Sequence, residues 1–258
     1  MIVQGIPAFE DNYLWAAWLP DSPREVCLID PGDAAVLGRW LADNDKTLVT
    51  ILLTHHHADH VGGVHELMQQ WPSVQVFGPK GDAAKISVSY AQMQGGQQIT
   101  VLGQRAQVID VPGHTNGHIA WWFADAGKIF VGDTLFSLGC GRLFEGSAAQ
   151  MWASMQKLRA LPDDTLVYCA HEYTASNCAF ALSVDAANAD LIERSAEIKA
   201  LRAQGLPTIP TSIGLEKSTN PFLRADHPDL ARSVGLSGLS SVDVFAALRG
   251  KKDHFRAA

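Results

Sequence analysis

A cluster of histidine and aspartate residues has the spacing of a metal site. The segment Thr54-His55-His56-His57-Ala58-Asp59-His60 follows the apolar run LVTILL and has the pattern HxHxDH. Residues two apart in an extended chain point the same way, so His55 and His57 are predicted to address one point. Asp59 and His60 are predicted to lie on the following turn, before a helix that begins near Gly62, and to address a second point. Imidazole and carboxylate are the ligands expected for zinc, iron or manganese, whereas the alternative is a solvated histidine-rich loop.

Three later apolar runs also end at a side chain that can bind a metal. His114 follows residues 107–111, Asp133 follows 128–132 and His171 follows 165–169. Strand-end loops of open sheets converge on one crevice, although alone His114 would suit a turn and Asp133 a helix cap. Seven donors are too many for one tetrahedral ion, and they predict two divalent ions bridged by Asp133. The predicted sets are His55, His57 and His114 on one ion and Asp59, His60 and His171 on the other.

Other polar residues near these runs have weaker assignments. Asp30, at the end of VCLID, is predicted either to hold a ligand histidine by its second ring nitrogen or to serve only in a turn. His56 is predicted to point away from His55 and His57. His118 is predicted to be either a support for a ligand or an ordinary histidine.

The elements that position these residues change in character along the chain. Short β-branched and aromatic runs predict strands, with helices over 34–44 and 148–161. After about residue 170, strand-like runs give way to helical patterns over 187–204 and from Ser240 or Ser241 onward. The chain is therefore predicted to be an α/β (α+β) protein with a layered metal-binding domain over 1–170 and a smaller helical domain over 171–258. The predicted strands are 26–30, 48–53, 74–78, 107–111, 119–123, 128–132 and 165–169.

Composition excludes several classes of protein. The chain has 258 residues, 47% of them apolar, and a formal charge of −7, which argues against binding nucleic acid or an anionic membrane surface. Its four cysteines form no CxxC pair and no disulfide scaffold, which favours a reducing, cytoplasmic setting. We see no signal peptide and no membrane span. The absence of an obvious exposed apolar stripe predicts a monomer.

A site with two metals is hydrolytic by default. Two neighbouring divalent ions lower the pKa of a shared water and polarise a carbonyl or phosphoryl oxygen. The chain has no GxSxG elbow for a serine nucleophile. Cys140 and Cys169 have no clear base partner and are predicted to be buried thiols.

These motifs carry a family resemblance. The segments THHHADHVGG, PGHTNGH, GDTLF and AHEYT, in this order, resemble the metallo-β-lactamase superfamily. More closely, from PAFEDNYLW to RGKKDHF, the chain resembles the type II glyoxalases, or hydroxyacylglutathione hydrolases. The resemblance implies an αββα sandwich as the catalytic domain over 1–170, with a smaller helical C-terminal domain over 171–258 that binds the glutathione part of the substrate. It also implies hydrolysis of S-D-lactoylglutathione to D-lactate and glutathione in methylglyoxal removal, through a metal-bridging hydroxide, with Asp59 and Asp133 as catalytic residues.

The resemblance also indicates a glutathione site. The segment Gly139–Gly146 is similar to the family's glutathione-contacting loop, and Phe144 falls where some members have a tyrosine, so one phenolic hydrogen bond would be missing. In the last helix, two cations match the family's RxxK pair, and residues three apart share a helix face and can reach one carboxylate. Taken alone, those two cations would fit a solvated helix end better than a binding site. The predicted substrate contacts are Arg142, Leu143, Phe144, Tyr173, Arg249 and Lys252.

Two other classes of function are compatible with part of this pattern. Another enzyme of the same fold, such as a lactonase, a β-lactamase or a persulfide dioxygenase with one iron, would not need every feature above. A protein that only stores metal or binds glutathione conjugates would not need open metal positions. The complete second set of donors favours the dinuclear hydrolase, and a thiolate leaving group with a pKa near 8.5 or so makes a dedicated general acid dispensable.

Overall fold

The computed structural model describes residues 1–256, whose packing divides into two compact units. Unit 1 comprises Met1–Asp110 and Thr115–Gly132, and unit 2 comprises Val111–His114 and the chain from Asp133 onward. This division places residues 133–170 with the C-terminal helices, whereas the sequence predicts a boundary between residues 170 and 171. That boundary stays a prediction.

Unit 1 contains two sheets and the helices that cover one of them. In the first sheet, β1 to β6 lie in chain order, with β1, β2 and β3 antiparallel and β3 to β6 parallel. In the second, β7 to β10 are consecutive antiparallel neighbours. The strands are β1 (Ile2–Ala8), β2 (Asn12–Leu19), β3 (Ser22–Ile29), β4 (Thr47–Leu52), β5 (Gln75–Pro79), β6 (Ala91–Met93), β7 (Gln98–Val101), β8 (Gln104–Asp110), β9 (Ile119–Phe123) and β10 (Lys128–Gly132).

Apolar residues at helical spacing attach the helices of unit 1 to the first sheet. Helix α1 (Ala34–Asp43) is capped by Asp33 and buries Leu37 and Leu41, which lie four residues apart on one face. These leucines join one core cluster with the strand residues and with helix α3 (Val64–Gln70). Between β4 and α3 lies the short helix α2 (Ala58–Val61). Strand β4 is thus followed by a loop and the short helix α2, which together carry the histidine-rich segment.

Unit 2 is mainly helical. Its helices are α4 (Ala148–Arg159), α5 (Thr174–Val184), α6 (Ala189–Ala203), α7 (Ile213–Thr219), α8 (Pro228–Ser233) and α9 (Ser241–His254). Short strands form two antiparallel pairs, β11 (Leu135–Phe136) with β12 (Gly139–Cys140) and β13 (Leu166–Cys169) with β14 (Thr211–Ser212). Several helices begin with the expected capping side chains, Ser147, Asn188 and Ser240 among them.

A buried ion pair holds the turn between β11 and β12. Arg194 donates to Glu216 at 2.6 Å, and the two side chains are 4% and 0% exposed. Glu216 accepts from the Leu138 backbone N–H at 2.8 Å, and Arg194 donates to the Ser137 hydroxyl at 2.8 Å. Asn220 adds bonds to the carbonyls of Phe136 and Gly139. The polar turn is thus fixed from within the helical core.

The sequence predicts most of these elements but misses others. The predicted helices over 34–44, 148–161 and 187–204 are confirmed with ends shifted by one or two residues, and Ser240 is confirmed as the last cap. Strands β1 and β2 are missed. Asp59 and His60 lie on helix α2 rather than on the predicted turn. Within residues 1–256, every helix falls short of the length and apolarity that a bilayer crossing requires.

Candidate metal centre and substrate pocket

In unit 1, the histidine-rich segment offers its donors in two groups. His55 and His57 each present a ligand atom within 4.8 Å of the other, and so do Asp59 and His60. His55 and His60 are almost completely buried, at 0% and 1% exposure. Because imidazole nitrogens and a carboxylate oxygen that converge in this way suit a cation, the donor chemistry of this segment fits divalent metal.

Asp30 contacts this segment through both of its carboxylate oxygens. Its Oδ1 accepts from the Thr54 backbone N–H at 2.8 Å, and its Oδ2 accepts from the Thr54 hydroxyl at 2.7 Å. The same Oδ2 lies 3.0 Å from His60 Nδ1, which leaves Nε2 of that ring for a metal. Of the two roles predicted for Asp30, the structure shows the contact with a candidate ligand. Its φ of 52° places it in a tight turn as well.

Asn12 is a contact that sequence reasoning missed. It is 7% exposed at the start of β2, and its side-chain amide donates to Asp59 Oδ2 at 2.9 Å. The only local signal is a polar residue opening an otherwise apolar strand, which does not indicate a partner 47 residues away. The amide therefore restricts the orientation of a candidate metal ligand.

Two further histidines of unit 1, His56 and His118, lie beside the candidate ligands. His56 turns to Asp82, with Nδ1 at 2.8 Å from Oδ2, and this agrees with the prediction that it points away from its neighbours. His118 stacks on the His55 ring with centroids 4.6 Å apart, and its Nδ1 lies 3.1 Å from the Ile119 carbonyl. Of the two roles predicted for His118, this packing favours support of a ligand.

In unit 2, Asp133 lies between two histidines. Its Oδ2 is 3.4 Å from His114 Nε2, and its Oδ1 is 3.4 Å from His171 Nε2. His114 is oriented by its other nitrogen, which lies 2.8 Å from the Arg142 carbonyl. The His171 ring stacks on Tyr173 with centroids 4.7 Å apart and planes 3° apart. One carboxylate thus presents a different oxygen to each imidazole.

Unit 2 also contains a cavity of about 500 Å³ that reaches these residues. Of the predicted substrate contacts, Arg142, Phe144, Tyr173, Arg249 and Lys252 line it, whereas the half-buried Leu143 is not among the described lining residues. Phe144 is 60% exposed and packs edge to face against His114 at 5.3 Å. The remaining lining residues are His114, Asp133, Phe136, Cys140, Ser176, Asn177, Phe255 and Arg256.

The cations of this cavity are partly committed to contacts within the chain. Arg249, 6% exposed, donates to the Cys140 carbonyl at 2.8 Å and to Asp253 at 3.0 Å. Lys252 Nζ donates to the Ser176 carbonyl and hydroxyl, both at 3.2 Å. Burial, and then the charge of Arg249, lower the pKa of Lys252 to about 8. Sequence reasoning predicted the two cations but not the ion pair between Arg249 and Asp253, which offsets part of the Arg249 charge.

Residues 16–171 match the family model described as metallo-beta-lactamase superfamily, and residues 172–255 match the model described as hydroxyacylglutathione hydrolase C-terminus. The hydroxyacylglutathione hydrolase of Photobacterium profundum is 46% identical, over 99% of this chain and 100% of that protein. That of Xanthomonas axonopodis pv. citri is 48% identical, over 98% of each. The crystal structure of ETHE1 from Myxococcus xanthus superposes with a TM-score of 0.69 at 25% identity, over 99% of this chain and 93% of that one.

The matches confirm the family resemblance and the fold class predicted from the motifs, and they support the hydrolase rather than the other enzymes of the fold. Identity near one half over the full length of both chains leaves no large segment unmatched. The chain belongs to the hydroxyacylglutathione hydrolases, the glyoxalase II enzymes of the metallo-β-lactamase superfamily.

Proposed function

We propose that this protein hydrolyses S-D-lactoylglutathione to D-lactate and glutathione, with two zinc ions per chain. In this proposal it acts as a cytoplasmic monomer in the degradation of methylglyoxal. The family membership supports the reaction, and the hydrolase names of its full-length relatives support the substrate class.

The observation that carries the proposal is the position of Asp133. Because its two oxygens face two different imidazoles at 3.4 Å each, it suits a carboxylate shared by two cations. In unit 1, His55 and His57 form one donor pair and Asp59 and His60 form another, and His55 and His60 also offer atoms within 4.8 Å of each other, as neighbouring ions would require. The proposed ligand sets remain those predicted from the sequence: His55, His57 and His114, then Asp59, His60 and His171, with Asp133 shared.

When bound, two divalent ions lower the pKa of a water and polarise the thioester carbonyl. The chain's own part is to orient the reactants. Asp59, held by the Asn12 amide, is proposed to orient the attacking water through a carboxylate oxygen. The leaving group is a thiolate, which departs without a general acid because its pKa is near 8.5 or so. The imidazole and carboxylate ligands suit zinc, and they also serve iron and manganese, so the metal analysis identifies the ion.

The cavity of unit 2 is proposed to bind the glutathione part of the substrate. Lys252 and Arg249 supply positive charge for a carboxylate, and Arg142 is 60% exposed at the same cavity. Phe144 and Tyr173 offer ring faces to the peptide. The volume of about 500 Å³ is within the range of small-molecule sites.

A thiol-release assay on S-D-lactoylglutathione, with metal analysis of the same sample, tests the proposal. We expect turnover with two metal ions per chain, abolished by a chelator and by Asp133→Ala. Asp163→Ala is the control, because Asp163 is 72% exposed and pairs only at the surface of unit 2 with Lys217. The double variant Arg249→Ala/Lys252→Ala should mainly raise KM. A metal-loaded wild type that releases no thiol refutes the proposed reaction.

A further inference from the structure

A buried carboxylate outside the proposed ligand sets joins two segments of unit 1. Asp82 follows β5 and is 1% exposed. Its Oδ2 lies 2.8 Å from His56 Nδ1 and accepts from the Thr115 hydroxyl at 3.2 Å. Burial of a carboxylate is costly unless it is hydrogen-bonded, so these two contacts offset a real penalty. The free-energy cost of burying Asp82 is thus offset by its contacts with His56 and Thr115.

The first contact fixes the histidine-rich segment. His56 is itself no proposed ligand, but it lies between His55 and His57, which are proposed ligands of one ion. Its side chain is 15% exposed and leaves that segment on the opposite side from its neighbours. Because adjacent residues of an extended segment share one backbone path, anchoring the His56 ring also sets the directions of the rings on either side.

The second contact fixes the segment that follows His114. Thr115 is fully buried, and its hydroxyl reaches the same oxygen of Asp82. The two segments approach so closely that a Cβ added at Gly117 would lie 2.2 Å from Asp82 Oδ1. A Cβ at Gly81 would lie 2.7 Å from the Gly117 Cα. Only glycine permits this approach, so the distance between the segments is closely fixed.

We propose that Asp82 is a positioning residue for the proposed ion of His55, His57 and His114. One carboxylate oxygen sets the spacing between the segment that contains the first two histidines and the segment that begins directly after the third. The hydrogen bonds perform this task, rather than the charge. The inference rests on the proposed metal site, and Asp82 itself contacts neither substrate nor metal in this proposal.

The test measures zinc affinity by competition with a chromophoric chelator, together with kcat and KM for the thioester. For Asp82→Ala we expect about tenfold weaker binding of one of the two ions, as for other partners that orient metal ligands. Binding of the second ion should change less than threefold or so, and kcat should fall while KM stays within about twofold. Asp82→Asn keeps an acceptor oxygen for both donors and should restore affinity to within about threefold of the wild type.

Two further variants separate positioning from a loss of fold. Thr115→Val removes one donor to Asp82 at nearly constant volume. It should lower the affinity for the same ion by a few-fold, even if Asp82→Ala folds poorly. Asp33→Ala removes the cap of α1 and lowers stability without a contact to His56 or Thr115, so it should leave both affinities unchanged.

Three outcomes would overturn the proposed role of Asp82. Unchanged affinity for both ions in Asp82→Ala and Thr115→Val overturns the inference, and so does an Asp82→Asn variant as impaired as Asp82→Ala. Equal weakening of both ions, with lower thermal stability, assigns Asp82 a general structural role and also overturns it. A wild-type chain that binds no zinc would instead refute the proposed function.

Discussion

Replacing Arg194 by methionine is expected to destabilise the protein strongly, because it leaves Glu216 charged and buried. Glu216 is 0% exposed, and Arg194 is its ion-pair partner at 2.6 Å. The remaining donors to its carboxylate, Leu138 N–H, Asn220 and Thr211, are neutral. Methionine keeps a similar side-chain length and removes the charge and the donors together.

The structure sets the magnitude. Removing one partner of a buried ion pair costs about 3–5 kcal/mol of unfolding free energy. At roughly 2–4 °C per kcal/mol for a chain of this size, the melting temperature should fall by about 6–20 °C. The loss should be smaller in Arg194→Met/Glu216→Gln, because the neutral amide keeps an acceptor for the Leu138 N–H and leaves no buried charge.

The assay is thermal and urea denaturation followed by circular dichroism, with all proteins at equal metal content. Arg24→Met is the matched control. Arg24 and Asp45 also lie 2.6 Å apart, but their side chains are 75% and 77% exposed. An exposed pair contributes about 0.2–1 kcal/mol, so this variant should melt within about 4 °C of the wild type.

Two results would refute the reasoning. If Arg194→Met melts with Arg24→Met, burial does not govern the strength of these ion pairs. If the double variant is less stable than Arg194→Met, the cost does not come from an unpaired Glu216 charge.

Further predictions concern the proposed activity. Because the pKa of Lys252 is lowered to about 8, its ammonium loses its proton as pH rises through that value, and about nine tenths of the side chains are neutral at pH 9. In steady-state assays the KM of the wild type should therefore rise between pH 7 and pH 9. The variant Lys252→Arg stays charged and should show no such rise. Phe144→Tyr should lower KM by about fivefold, the value of one hydrogen bond of about 1 kcal/mol, and an unchanged KM would exclude a contact there. Asn12→Ala removes the amide that donates to the Asp59 carboxylate and should reduce kcat by about tenfold. Asn44→Ala, at the exposed end of α1, is the control and should keep the wild-type kcat.

The sequence predicts the parts of the site that follow local periodicity. The strands ending near His55, His114 and Asp133 are short, apolar and bounded by turn residues, so their ends can be located from the pattern alone. Family motifs then identify the cations of the last helix. Strand β1 escapes prediction because Gly5 and Pro7 interrupt its pattern.

Contacts between distant segments are not predictable in this way. Asp82 meets Thr115 across 33 residues, and Arg249 meets Cys140 across 109. Nothing in the spacing near Asp82 distinguishes it from the exposed aspartates of other loops. Likewise, Asp253 follows a basic pair as a solvated helix residue would, and only the folded chain shows it pairing with Arg249. The sequence therefore predicts the donors of the site but not the residues that hold them in place.

The burial of the cysteines has a consequence for an enzyme whose proposed product is a thiol. The four cysteines of the described chain are buried thiols, and Cys140 lines the cavity of unit 2. Burial raises the pKa of the Cys140 thiol, so little of it is thiolate at neutral pH, although Arg249 acts in the opposite direction. Since thiol–disulfide exchange requires the thiolate, Cys140 is expected to react slowly with glutathione disulfide. Slow exchange at Cys140 would keep mixed disulfides out of the cavity that is proposed to bind glutathione.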